Sequence, residues 1–225
     1  MSALAPFRKL GFALDPSVRR IHAELRRLSN QVPPADSVLD LGSGSAPYAR
    51  LFPHRRYVTA DLFADSNVRC DALALPFADD AFDLVLCTEV LEHVPDPDAT
   101  LQEIRRTLRA DGMLVLTTPL TWGVHAKQDF HRWTESGLRR LLTRHGFEIV
   151  TLKPRGGVLL CLGALLLIVP WQLFGEAHER KAWQSLLFAV LYTLALPPAL
   201  LLAALDPVDA RQHFTHGYVV LCRPV

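Results

Sequence analysis

Short apolar runs alternate along the chain with segments of helical character, and this alternation restricts the possible folds more than any other feature. Val38–Leu41, Tyr57–Leu62 and the runs that begin at Phe82 and Met113 have the length and composition of buried strands. Helical segments separate them, with APYARLF after the first strand and DPDATLQEIRRTLRADG after the third. The alternation predicts parallel βαβ units and a doubly wound α/β sheet, in which ligands bind beyond the carboxyl ends of the strands.

Helix signals also mark both ends of this region. Asp15 followed by Pro16 predicts the start of an amphipathic helix, whose apolar positions recur at helical spacing: Val18, Ile21, Leu25 and Leu28. Thr134 predicts the N-cap of a later helix, and Gly146 predicts its end. Two further strands, EIVTLKP and HGYVVLCRPV, complete the predicted elements.

Size and charge restrict the classes of function. The 225 residues are enough for one full-sized domain and few for two. With 24 Lys and Arg against 23 Asp and Glu, the chain has no overall field that would attract nucleic acid. Its cysteines form no CxxC pair, which argues against a zinc site and predicts reduced, buried thiols at Cys70, Cys87, Cys161 and Cys222. The chain opens without an apolar core of signal-peptide type, so we expect the enzyme-like part to face the cytosol.

A turn of small residues follows the first strand directly. Gly42, Ser43, Gly44, Ser45 and Ala46 let backbone amides approach a ligand closely. The turn lacks the GK[ST] ending of a P-loop, and the carboxylate of Asp40 would repel a pyrophosphate. The ammonium and sulfonium groups of S-adenosylmethionine would instead be attracted to that carboxylate. The turn therefore favours S-adenosylmethionine over NAD.

Two later acids fit an adenosine. Asp61 ends the second strand, where a carboxylate can accept hydrogen bonds from both ribose hydroxyls. Nicotinamide enzymes share this feature, so Asp61 indicates a ribose without choosing the cofactor. Asp71 is placed to accept a hydrogen bond from an adenine amino group, and Ala72 offers a backbone amide.

Taken in order, these motifs resemble the class I S-adenosylmethionine-dependent methyltransferases, in particular the small-molecule branch that includes the ubiquinone-biosynthesis type. The resemblance covers about Asp36–Lys153, through VLDLGSGSA, ADL, CDALALPF, FDLVLCTEVLEHV and GMLVLTTP. It implies a Rossmann-like, mostly parallel seven-stranded sheet with a final antiparallel strand. One departure is Ala46, which stands where the family often has a third glycine.

The resemblance also implies a cofactor site residue by residue. Its predicted members are Asp40, Gly42, Ser43, Gly44 and Ala46 at the methionine end, Asp61 and Leu62 at the ribose, Asp71 and Ala72 at the adenine, and Thr88 and Glu89 in the floor.

A sulfonium methyl is a strong electrophile, so the protein must mainly align the reacting atoms and exclude water. A general base is needed only for a protonated nucleophile, and the catalytic candidates are His93, His125 and His131. We read the loop WGVHAKQDFHRWT as a cover over the acceptor, with Arg132 and Trp133 anchoring it to the next helix. His125, Asp129 and His131 offer metal ligands, but we predict that no metal is used.

Two uncharged runs, Gly156–Gly175 and Ala182–Leu205, flank the polar hexapeptide EAHERK. Each is close to the length that a helix needs to cross a bilayer, which predicts an apolar helical hairpin inserted before the last strand. We favour a membrane role, in which Pro170, Pro197 and Pro198 kink the helices and favour a shallow or re-entrant hairpin.

In this interpretation Lys153, Arg155 and Arg211 at the hairpin base face anionic headgroups, as does the arginine-bearing opening helix. In the alternative, the hairpin covers an apolar acceptor pocket or joins two copies of the chain in a homodimer, and the protein is cytoplasmic.

The predicted divisions are an amphipathic N-terminal region (1–35), a methyltransferase domain (36–155 and 206–225) and the hairpin (156–205). We predict a methyltransferase that acts on an oxygen or carbon of a hydrophobic or lipid-linked acceptor at the cytoplasmic face of a membrane. The rivals are a non-catalytic, cofactor-binding scaffold anchored by the hairpin, and an NAD-linked oxidoreductase on a similar fold.

Overall fold

The computed structural model of the chain describes residues 15–175 and 180–225. Seven strands form one sheet: β1 Ala35–Leu41, β2 His54–Asp61, β3 Val68–Arg69, β4 Phe82–Thr88, β5 Leu108–Pro119, β6 Phe147–Pro154 and β7 Gly217–Pro224. The α-helices of these residues are α1 Pro16–Ser29, α2 Pro97–Thr107, α3 Glu135–Arg144, α4 Val158–Phe174 and α5 Ala182–Leu205. Short 3₁₀ turns lie at Ala49–Leu51, Leu91–His93 and Asp206–Val208.

The strand order is β3-β2-β1-β4-β5-β7-β6. β1 pairs in parallel with β2 and β4, and β7 pairs antiparallel with β5. The predicted doubly wound, mostly parallel sheet with a final antiparallel strand is therefore confirmed. The order reverses between β1 and β4, and a crevice at the carboxyl ends of those two strands is where ligands of such sheets bind.

Buried aliphatic side chains hold the central strands in place. Leu39 of β1, Val85 of β4 and Leu114 of β5 are fully buried and belong to one hydrophobic core. Strands covered on both faces read as continuous apolar runs, which is why these segments were recognisable in the sequence. Rigid central strands position whatever side chains stand at their ends.

The helix signals behave as expected. Asp15 accepts a hydrogen bond from the backbone N–H of Ser17 at 2.8 Å, at the start of α1. Thr134 accepts one from Gly137 at 3.2 Å, at the start of α3. Gly146 follows α3 with a φ of +74°, a left-handed conformation that glycine adopts without steric cost.

The helix predicted between the first two strands is wrong, since only the 3₁₀ turn Ala49–Leu51 forms there. Ala46 takes a φ of +51°, outside the right-handed helical region, and Pro47 disfavours the α conformation of the residue before it. A right-handed helix therefore has no start until the chain has almost reached β2.

The chain divides into two compact units. The first comprises Glu24–Lys153 and Gly217–Val225, and the second comprises the described residues up to Ala23 together with the described residues of Pro154–His216. The three-part division expected from the sequence stays a prediction.

In the second unit, α4 and α5 pack along each other as a hairpin. Leu160, Ala164 and Leu167 of α4 are buried, and a Cβ added to Gly163 would lie 2.8 Å from the carbonyl oxygen of Ala199. Both helices continue through their prolines, Pro170 in α4 and Pro197 and Pro198 in α5. Backbones this close require a residue without a side chain at the crossing.

The base of the hairpin is polar and buried. Asp206 accepts hydrogen bonds from the backbone N–H groups of Gly157 and Leu160 at 2.9 Å, and Arg20 donates to it at 3.0 Å. The expectation that Arg155 faces headgroups is wrong, because Arg155 is buried with its guanidinium 3.4 Å from Nδ1 of His216. Burial, and then the charge of Arg155, lower the pKa of His216 to about 3.

Apolar side chains nevertheless cover the outside of the hairpin. Within the described ranges one helix, Ala182–Val208, is long and apolar enough to cross a membrane by length and composition, and only 6% of its most apolar window is buried. The partner helix α4 is equally apolar but shorter, at 17 residues. The surface of this hairpin resembles that of a protein core rather than that of a soluble enzyme.

Candidate functional site

Asp40 is buried near the end of β1 with one of its carboxylate oxygens unsatisfied. Its Oδ2 accepts a hydrogen bond from the hydroxyl of Tyr57 at 2.8 Å, and its buried Oδ1 has no hydrogen-bond partner. Burial raises the pKa of Asp40 to about 6, which the Tyr57 hydrogen bond opposes and the nearby charge of Asp61 reinforces. A buried carboxylate oxygen without a donor is suited to a cationic ligand.

The glycine turn beyond Asp40 exposes backbone because its geometry excludes side chains. Gly42 has a φ of +63°, and a Cβ at that position would lie 2.4 Å from a methyl carbon of Val90. Gly44 has a φ of +52°, and nothing lies within 4 Å of where its Cβ would be. Between them, the buried hydroxyl of Ser43 has no hydrogen-bond partner. The turn therefore leaves room for a ligand directly above the main chain.

Asp61 joins the end of β2 to this turn. Its Oδ1 accepts from the backbone N–H groups of Phe63 and Ala64 at 2.8 Å, and its Oδ2 accepts from Gly44 at 3.0 Å. Burial alone would raise the pKa of Asp61, but these backbone donors together with the N–H of Leu62 lower it. Asp61 is thus held as a carboxylate beside the turn, as a ribose site requires.

The residues predicted for the adenine follow along the same edge of the sheet. Asp71 comes just after β3 and is exposed, and its Oδ1 accepts from the N–H of Leu73 at 3.0 Å. Ala72 is partly buried against the core. Leu62 and Phe63 expose 37% and 77% of their surfaces. These apolar surfaces next to Asp61 are suited to the faces of an aromatic base.

Thr88 ends β4 and Glu89 follows it directly; these are the two residues predicted for the floor of the site. Glu89 has a φ of +54°, which is strained for a residue other than glycine. Its backbone N–H donates to Oγ1 of Thr117 at 3.1 Å, and that hydroxyl donates to Oε1 of Glu89 at 2.9 Å. Strained backbone that neighbouring strands hold in this way is a recurring feature of functional sites.

His93 and His125 lie together although 32 positions separate them in the sequence. Their ring centroids are 4.8 Å apart. Nδ1 of His93 lies 2.6 Å from the carbonyl oxygen of Gln128, which can only accept, so Nδ1 of the neutral ring donates and Nε2 is left to accept. Nε2 in turn lies 3.7 Å from Oε1 of the fully buried Glu92.

The third histidine, His131, is held in the same loop but contacts a different ring. It stacks at an angle on Trp133 with centroids 5.4 Å apart, and its buried Nε2 has no hydrogen-bond partner. The loop is docked by Phe130, whose N–H donates to the carbonyl oxygen of Glu92 at 2.7 Å. His131 thus offers a polar atom inside the loop.

Arg132 binds other residues of its own loop. We expected it to anchor the loop to the following helix, and that expectation is wrong. Its guanidinium donates to the carbonyl oxygens of Trp122 and Gly123 at 3.1 and 3.2 Å and forms an ion pair with Asp129. Five donor positions in a planar fork explain how one arginine can bridge both halves of the loop.

The carboxylate of Asp129 therefore already has two partners. It pairs with Arg132, and Nδ1 of His125 lies 3.0 Å from its Oδ2. The potential metal ligands that the described residues bring together are instead Glu92, His93 and His125, with one donor atom from each within 4.8 Å of the others. The expectation that the reaction uses no metal stays a prediction.

Sequence reasoning missed Tyr57, Thr117 and the buried position of Glu92. Tyr57 had a detectable signal. In the parallel register Asp40 lies opposite Thr59, and Tyr57, two residues before Thr59, is on the same face of β2, so its side chain could be expected near Asp40. Thr117 and Glu92 depend on the pairing of β4 with β5 and on loop docking, which no local pattern shows.

Comparison with known proteins places this geometry in context. A family model described as a methyltransferase domain matches residues 14–152. An uncharacterized methyltransferase of Mycobacterium leprae is 31% identical over 130 residues, and a ubiquinone/menaquinone biosynthesis C-methyltransferase UbiE of Stenotrophomonas maltophilia is 35% identical over 105 residues. These alignments cover 50% and 36% of this chain. They cover 48% and 42% of the relatives, so the chain matches about half of their length or less.

Solved structures give the same architecture at low sequence identity. A putative methyltransferase from Bacillus halodurans superposes with a TM-score of 0.56 at 16% identity, covering 90% of this chain and 98% of that one. A Burkholderia thailandensis 1,6-didemethyltoxoflavin-N1-methyltransferase with bound S-adenosylhomocysteine superposes with a TM-score of 0.54 at 20% identity, covering 91% and 79%. At these identities the likeness concerns the fold.

Proposed function

Because the chain belongs to the methyltransferase-domain family, we propose that it transfers a methyl group from S-adenosylmethionine to an oxygen or carbon of a hydrophobic or lipid-linked acceptor at a membrane. The observation that carries the cofactor is the unsatisfied, buried oxygen of Asp40 beneath a turn of bare backbone. The exposed apolar hairpin supports the nature of the acceptor.

The residues at the strand ends fit the cofactor in chemistry and position. Oδ1 of Asp40 can accept a hydrogen bond from an ammonium group, and the amides of the turn can donate to a carboxylate. Asp61 can accept hydrogen bonds from the ribose hydroxyls, and Leu62, Asp71 and Ala72 are the residues proposed to contact the base. When bound, S-adenosylmethionine supplies an electrophilic methyl group. The chain's residues then have to orient the acceptor and exclude water.

His93 is the residue best arranged to take a proton from an acceptor hydroxyl. The carbonyl of Gln128 fixes its tautomer and ring orientation, so that Nε2 is the accepting atom. The carboxylate of Glu92 at 3.7 Å would stabilise the resulting imidazolium. His125 packs against His93, and Nε2 of His131 is available to hydrogen-bond an acceptor oxygen.

Incubating the protein with methyl-labelled S-adenosylmethionine and a bacterial lipid extract tests the function. We expect label in the organic phase with the unmodified protein. If the nucleophile is a hydroxyl, we expect turnover to fall by about a hundredfold or more in His93→Gln, the low end for general-base catalysis, with little change in S-adenosylhomocysteine affinity. The exposed His213, in the other compact unit, provides the matched control, His213→Gln. Cofactor binding without transfer into any fraction would favour the scaffold, and binding of NAD alone would favour the oxidoreductase.

Asp61→Ala should weaken S-adenosylhomocysteine binding at least tenfold, or by about 1.4 kcal/mol. The substitution removes the acceptor for ribose hydroxyls and releases Gly44 of the cofactor turn. Isothermal titration calorimetry measures the affinity. The control is Asp65→Ala at an exposed position nearby, which removes one negative charge just as Asp61→Ala does. Equal affinities for both variants would place the ribose elsewhere.

A further inference from the structure

We propose that the α4–α5 hairpin crosses the bilayer completely, with the connecting segment 176–181 on the far side and both ends of the hairpin on the near side. The inference rests on the proposed membrane association and goes beyond it by fixing the topology. It replaces the shallow or re-entrant hairpin that the proline positions favoured.

The two ends of the hairpin meet at one point. The carboxylate of Asp206, which follows α5, accepts from the N–H groups of Gly157 and Leu160 at the start of α4. Asp209 accepts from the N–H of Val158 at 2.9 Å. Asp206 is fully buried and also pairs with Arg20 of α1. Whichever side of a membrane one end of the hairpin occupies, the other end therefore occupies as well.

The sequence that connects the two helices at the other end of the hairpin is charged. This sequence, EAHERK, contains two glutamates, an arginine and a lysine, whereas no charged residue stands within α4 or α5. Charged side chains within the hydrocarbon core are unfavourable. A hairpin that ended inside the bilayer would place four of them there. The connecting segment must therefore reach water.

An orientation flat on the membrane surface is also disfavoured. A helix that lies in the interface needs a strongly polar face opposite its apolar one. In α5 the exposed positions are apolar over most of the helix, and they include Trp183, Leu186, Val190, Leu194 and Leu201. The hydroxyl of Thr193, a polar group of this helix, donates to the carbonyl of Ala189 within the helix. Neither a charged stripe nor a sufficient polar face is present in the described part of the hairpin.

The dimensions fit a complete crossing. At about 1.5 Å per residue, the 17 residues of α4 span about 25 Å and the 24 residues of α5 span about 36 Å, against a hydrocarbon core of about 30 Å. The longer helix suffices alone, and the shorter one needs only the adjoining residues of the connecting segment.

The end of the hairpin next to the connecting segment has the chemistry of a membrane–water interface. The guanidinium of Arg180 lies 3.7 Å from the ring centroid of Phe188 and 4.9 Å from that of Trp171. It also donates to the carbonyl oxygens of Phe174 and Gly175, which end α4. Arg180 thereby caps carbonyls that have no partner within the helix, and the aromatic side chains lie where interfacial rings are enriched.

Cysteine labelling in bacterial spheroplasts tests the topology. The four native cysteines are replaced by alanine, and single cysteines are introduced as Lys181→Cys in the connecting segment and Asp36→Cys in the first unit, both exposed positions. A membrane-impermeant maleimide is added before or after permeabilisation. We expect Lys181→Cys to react at least tenfold faster than Asp36→Cys in intact spheroplasts, and both to react equally after permeabilisation.

Two further measurements separate the possible failures. Binding of S-adenosylhomocysteine shows whether each variant is folded, and Ala177→Cys, in the same charged hexapeptide, replaces Lys181→Cys if that variant does not fold. Protein that stays in the carbonate-resistant membrane fraction while the cysteine of its connecting segment reacts only after permeabilisation overturns the crossing alone. Protein recovered as a soluble species overturns the proposed membrane association, and leaves the methyl-transfer assay to judge the enzymatic activity.

Discussion

Asp40→Asn should weaken S-adenosylhomocysteine binding at least tenfold and at the same time stabilise the unliganded protein. The affinity falls because a neutral amide no longer attracts the ammonium group. The stability rises because the pKa of Asp40 in the folded protein, about 6, lies above its ordinary value of 3.8. The folded state thus favours the protonated form, and the stabilisation present below about pH 4 is lost as the pH rises through about 6.

At pH 7.5 the buried carboxylate therefore costs the folded state up to about 3 kcal/mol. The amide removes this cost and still accepts from Tyr57, while its buried NH₂, in the place of Oδ1, offsets about 1 kcal/mol of the gain. Thermal unfolding should show a midpoint higher by several degrees. The control is Asp36→Asn, an exposed acid of the same strand. For the unmodified protein, the affinity should also fall as the pH is lowered through about 6. A variant that binds as tightly as the parent, or that melts lower, would contradict this role for Asp40.

Removing the hairpin should release the protein from membranes without changing its cofactor affinity by more than about threefold, or about 0.7 kcal/mol. The excision joins Val158 to Asp206 through Gly-Ser-Gly. The two ends are close enough for this linker, because the N–H of Gly157 lies 2.9 Å from Oδ1 of Asp206. The apolar surface of both helices is lost, whereas every predicted cofactor residue lies in the other compact unit. Methylation of a lipid acceptor should fall more than tenfold, because the protein without its hairpin no longer reaches the membrane that holds the acceptor.

Vesicle flotation and calorimetry with S-adenosylhomocysteine measure the two effects on the same preparation. Thr193→Ala is the control, because it keeps the hairpin and its apolar surface. An excised protein that still floats with vesicles would remove the membrane role from this segment. A soluble protein that has lost cofactor binding would show that the hairpin is needed for folding of the chain.

Local patterns were sufficient for most of the fold. The buried strands and the caps at Asp15 and Thr134 were predictable because each depends on a few adjacent residues. The missing helix after β1 was harder to predict, since the sequence does not show that Ala46 takes a left-handed conformation, although Pro47 was a partial signal. Arg155 was misplaced because sequence shows proximity to an apolar run but not the buried His216 beside it.

The candidate site divides in the same way. Asp40, Gly42 and Asp61 follow strands directly, so their shared location at the sheet edge could be inferred from topology. The approach of His93 to His125 depends on how a long loop docks onto Glu92, and the sequence held no spacing that would fix it. The positions of the acceptor-side residues thus depend on tertiary contacts, whereas those of the cofactor-side residues follow from the order of the strands.

The contact between Gly42 and Val90 mechanically links the two halves of the site. Val90 directly precedes the 3₁₀ turn that carries His93, and it fills the space that any side chain at position 42 would need. A bulkier residue there would displace the segment that bears the histidine and would also narrow the space at the methionine end of the predicted cofactor site. Any substitution of Gly42 would therefore also require a smaller side chain at position 90, and because that change lies next to the turn that carries His93, we expect it to alter which acceptors the protein methylates.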